Sequence, residues 1–190
     1  MSMRIAILLG SAALSGLASM PVRAHITPPV VLASDREAVV RLLPAATRYF
    51  VREVRPSPAE RDAIRQRTGW NADDDFYRFY VGRTAEGALV AATVFLSEFT
   101  LHGPVRVAVA VGPDGKVTGA SVVEVTEESY TWVKPVLDSG FLHRFVGRDA
   151  RSAQAQMEDV GGSMPRFYAG VIAHLIARAA TLYEVTMPPK

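Results

Sequence analysis

From Val105 to Val111 valine falls at every odd position, with Arg106, Ala108 and Ala110 between. A period of two marks a strand, and past Arg106 both faces are apolar. The pattern therefore predicts a central strand covered on both sides. Lys116 to Val125 follows beyond Gly112-Pro113-Asp114-Gly115, and the Asp-Gly pair predicts a hairpin. Phe76 to Val81 and Ala88 to Leu96 predict a second hairpin around Ala85-Glu86-Gly87, and Arg48 to Val54 reads as one further strand.

Elsewhere the apolar period lengthens to that of a helix. A helix capped at Ser34 or Asp35 carries Val39, Val40, Leu42 and Leu43 inward and ends at Pro44. Ser57-Pro58-Ala59-Glu60 spells a capping box with proline in the first turn, and Gly69 sits where a helix C-terminus belongs. Asn71 to Asp75 is a solvated acidic turn without the ligand spacing of a calcium loop. Leu137 to Phe145 predicts a short helix. In the last helix Phe167, Val171, Leu175, Ala179 and Leu182 form one apolar stripe, opened by Ser163 as N-cap and Pro165 in the first turn. The order of elements gives an α+β domain, an antiparallel sheet of hairpins packed against helices.

The first residues stand apart from that fold. Met1 to Arg4 is short and basic, Ile5 to Met20 is small and apolar, and Val22-Arg23-Ala24 suits signal peptidase. This predicts a signal peptide over 1–24, with an uncleaved inner-membrane anchor as the alternative, then a flexible mature N-terminus over 25–32 and the domain proper over 33–190. Export would place the protein in the periplasm. Removing Arg4 and Arg23 also takes the formal charge from +2 to zero. A balanced charge without a clustered basic face argues against nucleic acid. The absence of cysteine excludes disulfides, thiolate metal sites, thiol nucleophiles and c-type haem attachment.

Chemistry concentrates before the last helix, where Met157-Glu158-Asp159-Val160 leads into Gly161-Gly162-Ser163-Met164-Pro165-Arg166. A helix N-terminus with glycines, a hydroxyl and an arginine suits a phosphate, although the same residues also make an ordinary capped helix beside a glycine turn. The histidines form no i,i+4 pair, so no helical metal site arises. His174 reads as a core or boundary residue, His143 as solvent-facing and His102 as part of a turn. Cleavage after Ala24 would leave His25 at the terminus, where amine and imidazole can chelate Cu(II). No Gly-x-Ser-x-Gly elbow is present, and no catalytic residue is assigned.

The segment resembles the C-terminal motif of the FMN-binding domain of Rnf and Na⁺-translocating NADH:quinone reductase flavin subunits and of small exported flavoproteins. That motif reads Asp-x-x-Ser/Thr-Gly-Ala-Thr/Ser, its last hydroxyl being esterified to the FMN phosphate by a flavin transferase. Laid on it, Glu158 takes the Asp position, Gly161 the Ser/Thr, Gly162 the Gly, Ser163 the Ala and Met164 the attachment residue. Methionine has no hydroxyl, so the resemblance implies noncovalent FMN. The central hairpin and Phe141-Leu142-His143-Arg144-Phe145-Val146-Gly147 follow the family's order. The resemblance further implies ring contacts from a glutamate-containing loop, here Glu128, Ser129, Tyr130 and Thr131; independently of it, Arg166 has the fork that suits phosphate oxygens. The function it implies is a periplasmic electron carrier serving a membrane redox protein or complex, not a stand-alone catalyst. The alternative is a flavin-free module of the same fold that binds a partner protein or another small ligand.

Overall fold

A computed structural model describes residues 27–153 and 161–187. The predicted signal peptide, His25 and Glu158 lie outside the described residues. The elements run β1 (Pro29–Val31), α1 (Asp35–Leu42), β2 (Arg48–Val54), α2 (Pro58–Thr68), β3 (Tyr77–Arg83), β4 (Leu89–Thr100), β5 (Gly103–Val111), β6 (Val117–Thr126), α3 (Glu127–Asp138), a 3₁₀ turn (Phe141–Phe145), α4 (Ala150–Ala153) and α5 (Ser163–Thr186). The α+β class predicted from periodicity is the fold observed. A six-stranded sheet in the order β1-β6-β5-β4-β3-β2 is antiparallel at every pairing.

β5 is central and covered on both sides, as its apolar faces require. Val105, Val107, Val109 and Val111 join the main core under α5, while Ala108 and Ala110 lie under α1. The difference in side-chain size has a packing reason. On the α1 face a Cβ on Gly82 would stand 2.8 Å from Ala46 Cβ, and one on Gly119 would stand 2.9 Å from Leu42 Cδ2. Small residues there let the α1 segment approach the sheet closely; valines opposite fill the deeper layer beneath α5.

Helix entry follows the local code. Ser34 with Glu37 and Ser57 with Glu60 form reciprocal capping boxes, each worth about 1 kcal/mol. Gly69 closes α2 in the left-handed conformation. Arg106 grips Asp35 with its two terminal guanidinium nitrogens, at 2.6 and 2.9 Å, and lies over the Phe95 ring. That fork fixes the start of α1 against β5.

Four expectations need correction. Residues 29–31 are not part of a flexible tail: they pair with 124–126 of β6, and Glu127 N donates to the Pro28 carbonyl at 2.9 Å. Three residues carry too short an alternation to show in the sequence. Val40 points to solvent, and Ala38 takes the buried place beside Val39. Phe167 is exposed and Tyr168 is buried in its stead, so the α5 stripe begins one residue later. His174 is exposed, while His143 faces solvent as expected.

Candidate functional site

The predicted glycine turn does open α5, but its cap differs. Gly162, at φ 82° and ψ 152°, is the N-cap and Ser163 is already helical. A positive φ suits glycine and strains other residues. No side chain among the described residues caps this end; the Arg166 amide donates to the Gly162 carbonyl at 3.2 Å. The Ser163 and Met164 amides make no hydrogen bond among the described residues. Gly161, Gly162, Ser163 and Arg166 are exposed, whereas Met164 and Pro165 are half-buried. Arg166 forms no ion pair among the described residues.

The expected glutamate loop is a helix. Thr126 caps α3 through a reciprocal bond with Ser129, so Glu127 and Glu128 occupy its first turn, beside the positive helix end. Wrapping the segment into a helix separates the proposed ring contacts. Ser129 is fully buried and spent on the cap, its Oγ 2.6 Å from Thr126 Oγ1. Tyr130 lines a different cavity, with Lys134 and Leu142. Thr131 is exposed and donates to the Glu128 carbonyl at 3.0 Å. Ser129 and Tyr130 are therefore removed from the candidate ring site. Glu128 stays, through His102, whose Nδ1 lies 2.9 Å from Glu128 Oε1.

In their place three distant segments meet. Trp132 of α3 stacks on Tyr168 of α5, with ring centroids 5.8 Å apart and planes 15° from parallel. His102, from the β4–β5 turn, meets Trp132 edge-on at 4.9 Å. Phe167 meets Tyr168 edge-on at 5.2 Å. Each such pair adds about 0.5–1.5 kcal/mol beyond its buried area. The turn itself is held firmly: Thr126 Oγ1 donates to the His102 carbonyl at 2.5 Å, and the His102 amide donates to Thr100 Oγ1 at 3.1 Å. Sequence reasoning gave His102 only a turn and passed over Tyr168. The signal was the bare presence of aromatic residues at the starts of two helices, and nothing local joins positions so far apart.

Chemically, this end offers two amides with no partner among the described residues, an exposed arginine, and a set of stacked rings at the first two turns of the same helix. No cluster of three or more His, Asp or Glu able to hold a metal occurs among the described residues.

A separate cavity of about 510 Å³ lies along the outer edge of β6, beyond the reach of β1. Arg41, Ser121, Tyr130, Lys134 and Leu142 line it. Arg41 donates to Ser121 Oγ at 2.7 Å and Lys134 pairs with Asp138 at 2.6 Å, so its polar groups are largely engaged with one another.

No described helix is long and apolar enough to cross a membrane. No protein-family model matches the chain, and no curated protein matches it.

Proposed function

We propose that the chain is an FMN-binding domain that carries electrons, with the flavin held noncovalently and its phosphate at the start of α5. The observation that carries this reading is the meeting of an uncapped helix N-terminus with a stacked aromatic wall. The donor set suits the cofactor's charged end: the Ser163 and Met164 amides, which have no partner among the described residues, the positive end of a 24-residue helix, and Arg166. The aromatic end suits a flat ring, because Trp132 is only half-buried and keeps surface beyond its contact with Tyr168.

FMN, when bound, would supply the one- and two-electron chemistry. The protein's part is to hold and orient it. Gly162 allows the backbone a close approach, Arg166 neutralises the phosphate, and His102 with Glu128 gives a polar edge beside Trp132. Met164 provides apolar contact and no ester oxygen. The remaining parts of the reading are export to the periplasm, a membrane-bound redox protein or complex as partner, and descent from a domain whose flavin was attached by a transferase.

The test compares FMN with riboflavin, which lacks the phosphate. Titration of the purified protein, followed by flavin fluorescence, should show FMN bound more tightly. Arg166→Ala should weaken FMN about 10–100-fold, the loss of a charged hydrogen bond, and leave riboflavin unchanged. Trp132→Ala should weaken both. Equal affinity for the two flavins, or indifference of FMN to Arg166→Ala, would refute the phosphate site. No uptake of either flavin would favour the flavin-free module, in which the Trp132–Tyr168 stack fills the slot itself.

A further inference from the structure

We infer that the outer edge of β2 pairs with β2 of a second copy of this chain, about a two-fold axis through Val51, joining the two sheets into one. β2 is the last strand of the sheet and hydrogen-bonds only to β3. Over its seven residues the outward backbone groups meet no partner among the described residues. Such an edge templates pairing unless a protein blunts it with proline, charged side chains, a bulge or brevity. β2 has no proline, lysine or bulge and is seven residues long, and its charges, Arg48, Arg52 and Glu53, restrict the pairing to particular registers. It reads Arg-Tyr-Phe-Val-Arg-Glu-Val with an unbroken register against β3. The opposite edge is guarded: β1 is three residues long and begins with proline.

The side chains of β2 are those of an unfilled interface. Tyr49, Phe50 and Val51 are all exposed, Val51 at 58%. Phe50 and Arg52 lie on the α5 face with Val81 and Phe79, while Tyr49, Val51 and Glu53 lie on the α1 face with Gly82, Tyr80 and Arg78. A two-fold axis perpendicular to the sheet keeps each face with itself, so an axis through a residue pairs only residues on the same face.

Charge then selects the register. An axis through Phe50 would set Arg48 against the partner's Arg52, and an axis through Arg52 would set that arginine against its own copy. The axis through Val51 avoids both. It puts Val51 on Val51, Tyr49 opposite Glu53, and Arg52 opposite Phe50, where a guanidinium can lie over a ring. Arg52 makes no salt bridge among the described residues, so it is available for that role. A self-complementary strand of this kind fits a second copy of the chain better than an unrelated peptide.

The cysteine-free sequence gives a clean test. On the axis the two Val51 Cα atoms would lie about 4.5–5.5 Å apart, within disulfide reach. Val51→Cys should therefore oxidise rapidly to a covalent dimer. Tyr49→Cys alone should not, because its two copies would stand about 14 Å apart, yet mixed with Glu53→Cys it should crosslink as a heterodimer. The parent chain should sediment as a concentration-dependent dimer, and Val51→Lys should be monomeric with unchanged circular dichroism. A parent that stays monomeric to about 1 mM, in the affinity range of the weakest specific complexes, would overturn the inference. So would a dimer that survives Val51→Lys, or Tyr49→Cys linking to itself as fast as Val51→Cys.

Discussion

Gly103→Ala should cost far more than its position in an exposed hairpin turn suggests. Gly103 has φ 96°, and a Cβ there would lie 2.4 Å from Thr126 Cγ2. Two penalties combine. The positive φ costs about 1–2 kcal/mol for an L-residue. The clash costs a further 1–3 kcal/mol, roughly, because Thr126 cannot retreat: it caps α3 and its hydroxyl bonds the His102 carbonyl. The sum is about 2–5 kcal/mol, or about 6–15 °C in Tm at about 3 °C per kcal/mol. Gly87→Ala isolates the first penalty, since Gly87 has φ 93° and nothing within 4 Å of its Cβ position. Thr126→Ser isolates the second, by deleting the clashing methyl while keeping the capping oxygen. In urea unfolding, Gly103→Ala should lose clearly more stability than Gly87→Ala, and adding Thr126→Ser should bring it back toward the Gly87→Ala value. Equal losses at the two glycines, or no rescue by Thr126→Ser, would refute the reasoning.

Other consequences can be measured with similar tools. The hydrogen bonds from Arg106 hold the Asp35 carboxyl below the usual carboxylate range. That stabilisation is present above the unfolded value of about 3.9 and is lost as pH falls through the lower folded value; Asp35→Asn should flatten the acid limb of the urea midpoint, and an unchanged limb would contradict the fork's role. Burial, with help from the Asp74 carboxylate, pushes the Tyr77 phenol up to about 12. Stability from this group is complete below about pH 10 and drains away as pH rises toward the folded value, so Tyr77→Phe should resist alkali better than the parent. Met164→Thr combined with Gly161→Ser and Ser163→Ala, which restores the attachment motif apart from Glu158, should gain FMN that survives denaturation when co-expressed with a flavin transferase, while the same background with Met164→Ala should not; an unlabelled restored variant would refute the register laid on that motif.

Most of the fold could be read from the chain because it is written locally. The Ser57-Pro58-Ala59-Glu60 box, the Asp114-Gly115 turn and the valine alternation of β5 each act within a few residues, and each appears where its chemistry puts it. Failures occur where partners decide. The segment 127–132 carries two glutamates, a serine and a threonine, and its helix depends on Thr126 as cap and on Trp132 packing against α5. Leu137 to Phe145 was one helix by pattern. Gly140 at φ 72° divides it, so α3 ends at Asp138 and a 3₁₀ turn follows. The candidate site was half legible: the glycine turn was visible, while its aromatic wall is assembled from positions 102, 132 and 168 by tertiary contact alone.

What brings that wall together is the unequal length of neighbouring strands. β3 stops pairing with β4 at Phe79 and Val94, yet β4 continues to Thr100, its last six residues paired within the sheet only with β5. The hairpin thus overhangs the sheet and carries His102 to the starts of α3 and α5. The overhang has a visible cost, for Phe99 is 81% exposed and Leu101 wholly so. A hairpin serving only the core would end at the Glu98–Val105 pair, Val105 being fully buried. Its extension buys contact with two helix N-termini, held by Thr126 on one side and by the approach of Thr100 to Tyr168 on the other. Replacing residues 99–104 by a two-residue turn between Glu98 and Val105, which pair with each other, should therefore leave the β-core folded while releasing Trp132 from its stack. The near-ultraviolet circular dichroism of the tryptophans should weaken with the far-ultraviolet spectrum unchanged. An unaltered Trp132 signal would show that α3 and α5 set the wall without the hairpin.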